Sequence, residues 1–205
     1  TAPPVPALTP IGEPPEATIP PNDEVPYRLT YRAGARGRYN FTAIASATGI
    51  DEISQREVDS PEFSSATTLT IQTPANLVIE NIQFSKPGGT FRDTLTITEG
   101  QGFEARMTIK NEGEADAVNV QPTLIPSPLG GVKVVPPEPG AVTIAGETSQ
   151  PFIWRYSTPE DSNASLRFDG RVRGEDRNSG RSIPTEFTSR GNLMIQTPPR
   201  FRVTI

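Results

Sequence analysis

Residues 62–74 read EFSSATTLTIQTP, and residues 186–198 read EFTSRGNLMIQTP. Eight of the thirteen positions are identical at an offset of 124: Glu62, Phe63, Ser65, Leu69 and Ile71-Gln72-Thr73-Pro74 return as Glu186, Phe187, Ser189, Leu193 and Ile195-Gln196-Thr197-Pro198. Self-similarity at a fixed period is the mark of repeated modules, so this recurrence decides how the rest of the chain is read. It continues backward with a small drift. Thr18-Ile19 and Pro26 answer to Thr143-Ile144 and Pro151, and Tyr27, Leu29 and Tyr31 to Phe152, Trp154 and Tyr156, at an offset of 125. Tyr39 and Phe41 answer to Leu166 and Phe168 at 127. Forward of the two prolines, Leu77-Val78-Ile79 and Phe201-Arg202-Val203 each open a new apolar alternation.

The frame that results is unusual. Residues 1–75 are the C-terminal part of a first repeat, residues 76–198 a complete repeat, and residues 199–205 the first strand of a following one. Pro74 and Pro198 mark the junctions. A proline closing a strand forbids simple continuation of a central strand and suits a short, stiff connector.

Within the complete repeat the apolar period is that of strands. Phe103, Ala105, Met107 and Ile109 alternate with polar residues, as do Phe152, Trp154 and Tyr156, and then Leu166, Phe168, Gly170 and Val172. This gives each segment one dry and one wet face. Leu77, Ile79, Ile82 and Phe84 open the repeat; Leu95 with Ile97, Val118 with Val120 and Leu124, the valines 132, 134 and 135, and Val142 with Ile144 supply further strands. Ile183, Phe187, Leu193 and Ile195 close it. Pro87-Gly88-Gly89, Glu99-Gly100, Asn111-Glu112-Gly113 and the run Pro136-Pro137-Glu138-Pro139-Gly140 are turns or corners. No window carries a helical period. At least seven short strands at this spacing predict an all-β fold of tandem immunoglobulin-like β-sandwich repeats.

Composition agrees. Pro (23) and Gly (17) are abundant, and the formal charge is −5. An acidic chain without a basic stripe is poorly suited to nucleic acid or anionic membranes; the short cluster Arg32, Arg36, Arg38 is flanked by acidic stretches and reads as a solvated face. No segment approaches the apolar length of a membrane span. Cysteine and histidine are absent. That removes disulfides, thiol nucleophiles, the usual zinc sites and all histidine acid–base chemistry. No signal peptide is visible and the chain opens on Thr1, which reads as a processed chain or a segment of a longer one.

The run Met107-Thr108-Ile109-Lys110-Asn111-Glu112-Gly113, followed by Ala115, Ala117, Val118, Asn119 and Val120, resembles the strand–turn–strand signature of bacterial and archaeal surface immunoglobulin-like repeats of the CARDB-like (cell-adhesion-related) type. The strand Phe152, Trp154, Tyr156 is similar to one in the same class. The resemblance implies a surface stalk, adhesin or fibre module, and it brings no catalytic residue.

Other candidates are weaker. Trp154 reads as core, since a lone tryptophan in an alternating run anchors a sandwich; sugar stacking is the competing role, and Leu29 at the matching position speaks against it. Asp169, Glu175 and Asp176, with Asp51 and Glu52 in the matching region, offer the hard oxygens calcium takes. No dense D-x-D-x-D-G loop accompanies them, so solvated turns and no cofactor are expected. No acidic residue sits in a recognisable glycosidase motif, and no enzyme activity is expected. Asn40-Phe41-Thr42 and Asn163-Ala164-Ser165 are sequons, so Asn40 and Asn163 are candidate glycosylation sites in an exported protein; they fall out of register between the repeats.

The expected function is therefore a non-enzymatic structural module of an extracellular, cell-surface filament, sheath or stalk. The expected partners are other copies of the chain or flanking repeats of the same polypeptide, joined in some arrangements by strand complementation. The alternative is an adhesin or carbohydrate-binding surface module, for which the loop at 125–141 is the candidate binding element.

Overall fold

The computed structural model describes residues 8–12, 17–20, 23–129, 131–160 and 164–199. Residues 200–205 of the expected strand at 199–205 and the sequon residue Asn163 lie outside the described residues. The chain divides into two units, Thr1–Gln72 and Thr73–Ile205. All regular elements among the described residues are strands, and no helix is long and apolar enough to cross a membrane.

In the first unit, β1 (Leu8–Ile11) pairs with β2 (Thr30–Ala33), β3 (Gly37–Ala45) with β6 (Phe63–Ile71), and β4 (Thr48–Ile50) with β5 (Glu57–Asp59), all antiparallel. Each pair is a separate two-stranded sheet.

The second unit is a sandwich. Its strands are β7 (Leu77–Ser85), β8 (Thr94–Thr98), β9 (Gly102–Asn111), β10 (Ala117–Ser127), β11 (Lys133–Val135), β12 (Val142–Ile144), β13 (Ser149–Ser157), β14 (Ala164–Asp176) and β15 (Ser182–Gln196). One sheet has the order β11-β13-β9-β7 and the other β12-β10-β14-β15-β8. Neighbours are antiparallel except β15 and β8, which run parallel. The set β7-β9-β13-β11 against β10-β14-β15 repeats the A-B-E-D against C-F-G order of an immunoglobulin-like sandwich. One departure is β12, which follows β11 in the chain yet lies beside β10.

The alternation read from the sequence is the reason these strands sandwich. Phe103, Ala105, Met107 and Ile109 of β9 are buried, as are Phe152, Trp154 and Tyr156 of β13 and Leu166, Phe168 and Val172 of β14. Phe103 stacks on Tyr156 with centroids 5.2 Å apart, and Phe168 meets Phe84 at 5.0 Å and Tyr156 at 5.4 Å. The Tyr156 hydroxyl donates to the Leu124 carbonyl across the sandwich at 3.2 Å, giving the buried oxygen its partner. Burial, with the charge of Glu138, pushes that hydroxyl's pKa well up, so it remains a donor.

Two parity slips depart from simple alternation. Ile79 and Ile82 both face the core because β7 bulges between Ile79 and Asn81. In β10 the shift lies between Val118 and Gln121, with Asn119 at φ +53°. Ala117 therefore takes the core position expected of Val118, which is only half-buried. A further expectation fails at Phe187, which is 53% exposed rather than core. It lies on the outer face under Arg171, whose guanidinium carbon is 5.2 Å from the ring centroid.

The β3–β6 and β14–β15 hairpins share their first register. Gly37↔Ile71, Arg38↔Thr70 and Tyr39↔Leu69 pair in one; Ala164↔Ile195, Ser165↔Met194 and Leu166↔Leu193 pair in the other. These are the positions that the offsets 127 and 124 connect. Beyond them β15 shifts register while β6 does not. The shift falls beside Gly191, at φ +82°, where an added Cβ would stand 2.4 Å from the Phe84 ring. The first hairpin has Thr67 at that place and pairs straight through.

Candidate functional site

Residues 73–76, at the expected junction, are hydrogen-bonded along their length into the second unit. β9 ends at Asn111, and the turn that follows, Asn111-Glu112-Gly113-Glu114-Ala115-Asp116, closes over residues 73–76. Thr73 is held at three points. Its N–H donates to Glu114 Oε2 at 3.0 Å, its hydroxyl accepts from the Glu114 N–H at 3.0 Å, and its carbonyl accepts from Ala115 at 3.1 Å. The Ala75 N–H donates to Asp176 Oδ2 at 2.7 Å, and the Asn76 N–H to Asn111 Oδ1 at 3.1 Å. The Asn76 carbonyl accepts from Glu112 at 2.8 Å. Pro74 sits at the one place in this run with no N–H to satisfy.

Asn111 is fully buried. Its Oδ1 accepts from Asn76 and Gly113, and its Nδ2 donates to the carbonyls of Ala115 at 2.8 Å and Ile144 at 3.3 Å. A carboxamide is the side chain that offers two acceptor directions and two donors at once. Gly113 is required for another reason: an added Cβ would lie 2.0 Å from the Pro74 carbonyl oxygen. The sequence marks this turn as a strand connector; its second contact, with residues 73–76, depends on residues far away in the chain.

Asp176 completes the clamp from the β14–β15 turn. Oδ1 accepts from the Ser179 N–H at 2.7 Å and its hydroxyl at 2.8 Å, while Oδ2 takes Ala75. Burial pushes this carboxyl's pKa up, but the hydrogen bonds from Ala75, Ser179 and Asn178 outweigh it and hold the carboxyl below the ordinary aspartate value. A depressed folded-state pKa contributes stability that is present above the unfolded value, 3.8, and is lost as pH falls through the folded one. Asp176→Asn should therefore melt below the wild type at pH 7, and the gap should close as pH falls below 4. A gap that stays constant down to pH 2.5 would contradict this role.

The same turn occurs in the first unit. Asp51-Glu52-Ile53-Ser54-Gln55-Arg56 matches Asp176-Arg177-Asn178-Ser179-Gly180-Arg181 at an offset of 125, with Asp, Ser and Arg identical. Asp51 Oδ1 accepts from the Ser54 N–H at 2.6 Å, and the Asp51 carbonyl accepts from Gln55 at 2.8 Å, as the Asp176 carbonyl does from Gly180 at 2.8 Å. Gln55 at φ +54° and Gly180 at φ +66° share the left-handed conformation. Ser54, first through its side chain, lowers the Asp51 pKa. The pattern D-x-x-S-x-R is present at both places in the sequence.

The carboxylates weighed as calcium oxygens are not brought together on β14. Asp169 and Glu175 lie on the outer face of β14, where Glu175 accepts from Asn119 Nδ2 at 3.2 Å, and Asp176 points inward. Among the described residues no group of three or more acidic side chains is placed to hold a metal. Asn40 is exposed on β3, its Oδ1 3.5 Å from the Thr68 hydroxyl. Pro74 is exposed between Thr73 and the buried Ala75, and Pro198 is exposed two residues beyond the end of β15. Beside the proline-rich corner lies a groove of about 400 Å³, lined by Pro137, Pro139, Phe152, Ile153 and Arg155 among others.

No family model matches the chain, and no curated protein matches it. Among solved structures, the ASH or PapD-like domain 7 of human CEP192 is similar over 65% of this chain and 92% of that one, at 11% identity and a TM-score of 0.38.

Proposed function

We propose that this chain is a non-enzymatic structural module of an extracellular filament, sheath or stalk, built from tandem immunoglobulin-like domains of the CARDB-like kind. The observation that carries the reading is the junction clamp. In a stack of sandwiches each domain chiefly meets its neighbours, and the mechanics of the whole are set where one domain hands the chain to the next. A free connector would act as a hinge. Here residues 73–76 are bonded residue by residue into the domain they precede, and a proline interrupts the run where no donor is needed. The shared register of the β3–β6 and β14–β15 hairpins and the repeated Asp-Ser turn support the tandem arrangement.

The test is location and form. Antibodies raised against residues 73–199 should label intact cells of the source organism and decorate fibres or a surface sheath in electron micrographs. Labelling that appears only after permeabilisation would overturn the proposal.

A further inference from the structure

We propose that the apolar face of residues 17–72 is an acceptor surface whose occupant is a four-strand segment built like residues 77–127, the first half of another repeat. The inference rests on the tandem reading of the chain, and it names what that reading leaves open: the partner of the first unit.

The second unit supplies the comparison. Ile144, Phe152, Trp154 and Tyr156 are 2%, 4%, 2% and 1% exposed. Their counterparts Ile19, Tyr27, Leu29 and Tyr31 are 52%, 47%, 53% and 40% exposed. Apolar positions that the offset of 125 connects are thus buried in one unit and exposed in the other. In the second unit these side chains lie between the two sheets, with Tyr156 against Phe168 of β14 and bonded to Leu124 of β10. The strands of that sandwich with no counterpart in residues 17–72 are β7, β8, β9 and β10, all of which lie before residue 128 in the chain.

The strand edges say the same. β13 lies between β11 and β9, and β14 between β10 and β15. Their counterparts β2 and β3 pair only with β1 and β6 among the described residues. The edges left over are those that β9 and β10 occupy in the complete sandwich. A strand edge left open beside exposed apolar side chains takes an added strand through main-chain hydrogen bonds.

Not every exposed apolar residue belongs to this face. Phe63 is 70% exposed, and so is its counterpart Phe187 at 53%, so both lie on the outer side. The acceptor is confined to positions that change state between the two units.

The experiment supplies the occupant. A copy of residues 76–126 is fused directly ahead of Pro3 in the full chain, which keeps the spacing that separates β10 from β11. Amide exchange at residues 27–33 and 37–45 should slow by on the order of 100-fold relative to the unfused chain. Replacing Leu29 by Asp in the fusion should abolish that protection. A second fusion with six added Gly-Ser residues guards against strain at the joint. Absence of protection in both fusions overturns the proposal, as does protection that survives Leu29→Asp. Protection already present in the unfused chain and rising with its concentration would make a second copy the occupant and likewise overturn it. Failure of surface labelling would sink the functional reading and leave this one standing.

Discussion

Replacing Trp154 by alanine should destabilise the second unit by about 3–5 kcal/mol, since truncating a buried large aromatic loses its transfer energy and leaves a cavity. Trp154 is 2% exposed and pairs across the ladder with Ala105, whose small side chain leaves room for the indole. Phe152 lies 6.5 Å away, centroid to centroid, on the same strand. A loss of this size is a large fraction of the roughly 5–15 kcal/mol that holds a domain folded. The recurrence in the sequence at an offset of 125 provides the control. Leu29 occupies the matching position but is 53% exposed, so Leu29→Ala should change stability by less than about 1 kcal/mol in the chain as it stands. Urea titration followed by circular dichroism measures both. A Trp154→Ala midpoint close to wild type would remove the residue from the core.

Much of this fold was legible because a strand with one wet face writes its orientation into the sequence. The runs from Phe103 to Ile109 and from Phe152 to Tyr156 placed their buried side chains correctly. The misreadings have particular causes. A bulge changes parity without any change in composition, so Ala117 and Val118 exchanged roles across the shift in β10. Phe187 is apolar but outside, where the guanidinium of Arg171 covers its ring. An isolated exposed aromatic carries no sequence signature that separates it from core. Strand order was beyond reach, since β8 joins β15 in parallel across nearly a hundred residues. The bonding around residues 73–76 was half visible: Pro74 closes the recurring IQTP segment, and Asn111-Glu112-Gly113 marks a turn. That the two meet is a consequence of β7 and β9 pairing, with Leu77 opposite Asn111.

Asn111→Ala should be comparably severe, costing about 3–5 kcal/mol, although it removes only a few atoms. The loss leaves the N–H groups of Asn76 and Gly113 and the carbonyls of Ala115 and Ile144 without the partner each has now. A buried polar group stripped of its partner costs roughly 1–3 kcal/mol, and water reaching the turn would recover part of the total for four of them. Aspartate distinguishes this account from simple loss of packing. Asn111→Asp keeps the shape and the Oδ1 acceptor but turns a second oxygen toward the Ala115 and Ile144 carbonyls, which lie 2.8 Å and 3.3 Å from Nδ2. As a carboxylate it repels both; protonated, it can donate to one of them. Burial and the two carbonyls push its folded-state pKa up and the N–H groups of Asn76 and Gly113 hold it down; with an oxygen facing two carbonyls the rise is expected to win. Its cost is therefore greatest at neutral pH and should shrink as pH falls toward 4, whereas the cost of the alanine variant should not depend on pH. Hydrogen exchange at Asn76 and Gly113 supplies the local readout, with both amides opening in either variant at pH 7. An aspartate variant as stable as wild type at pH 7 would show that Asn111 does not hold the turn and the junction together.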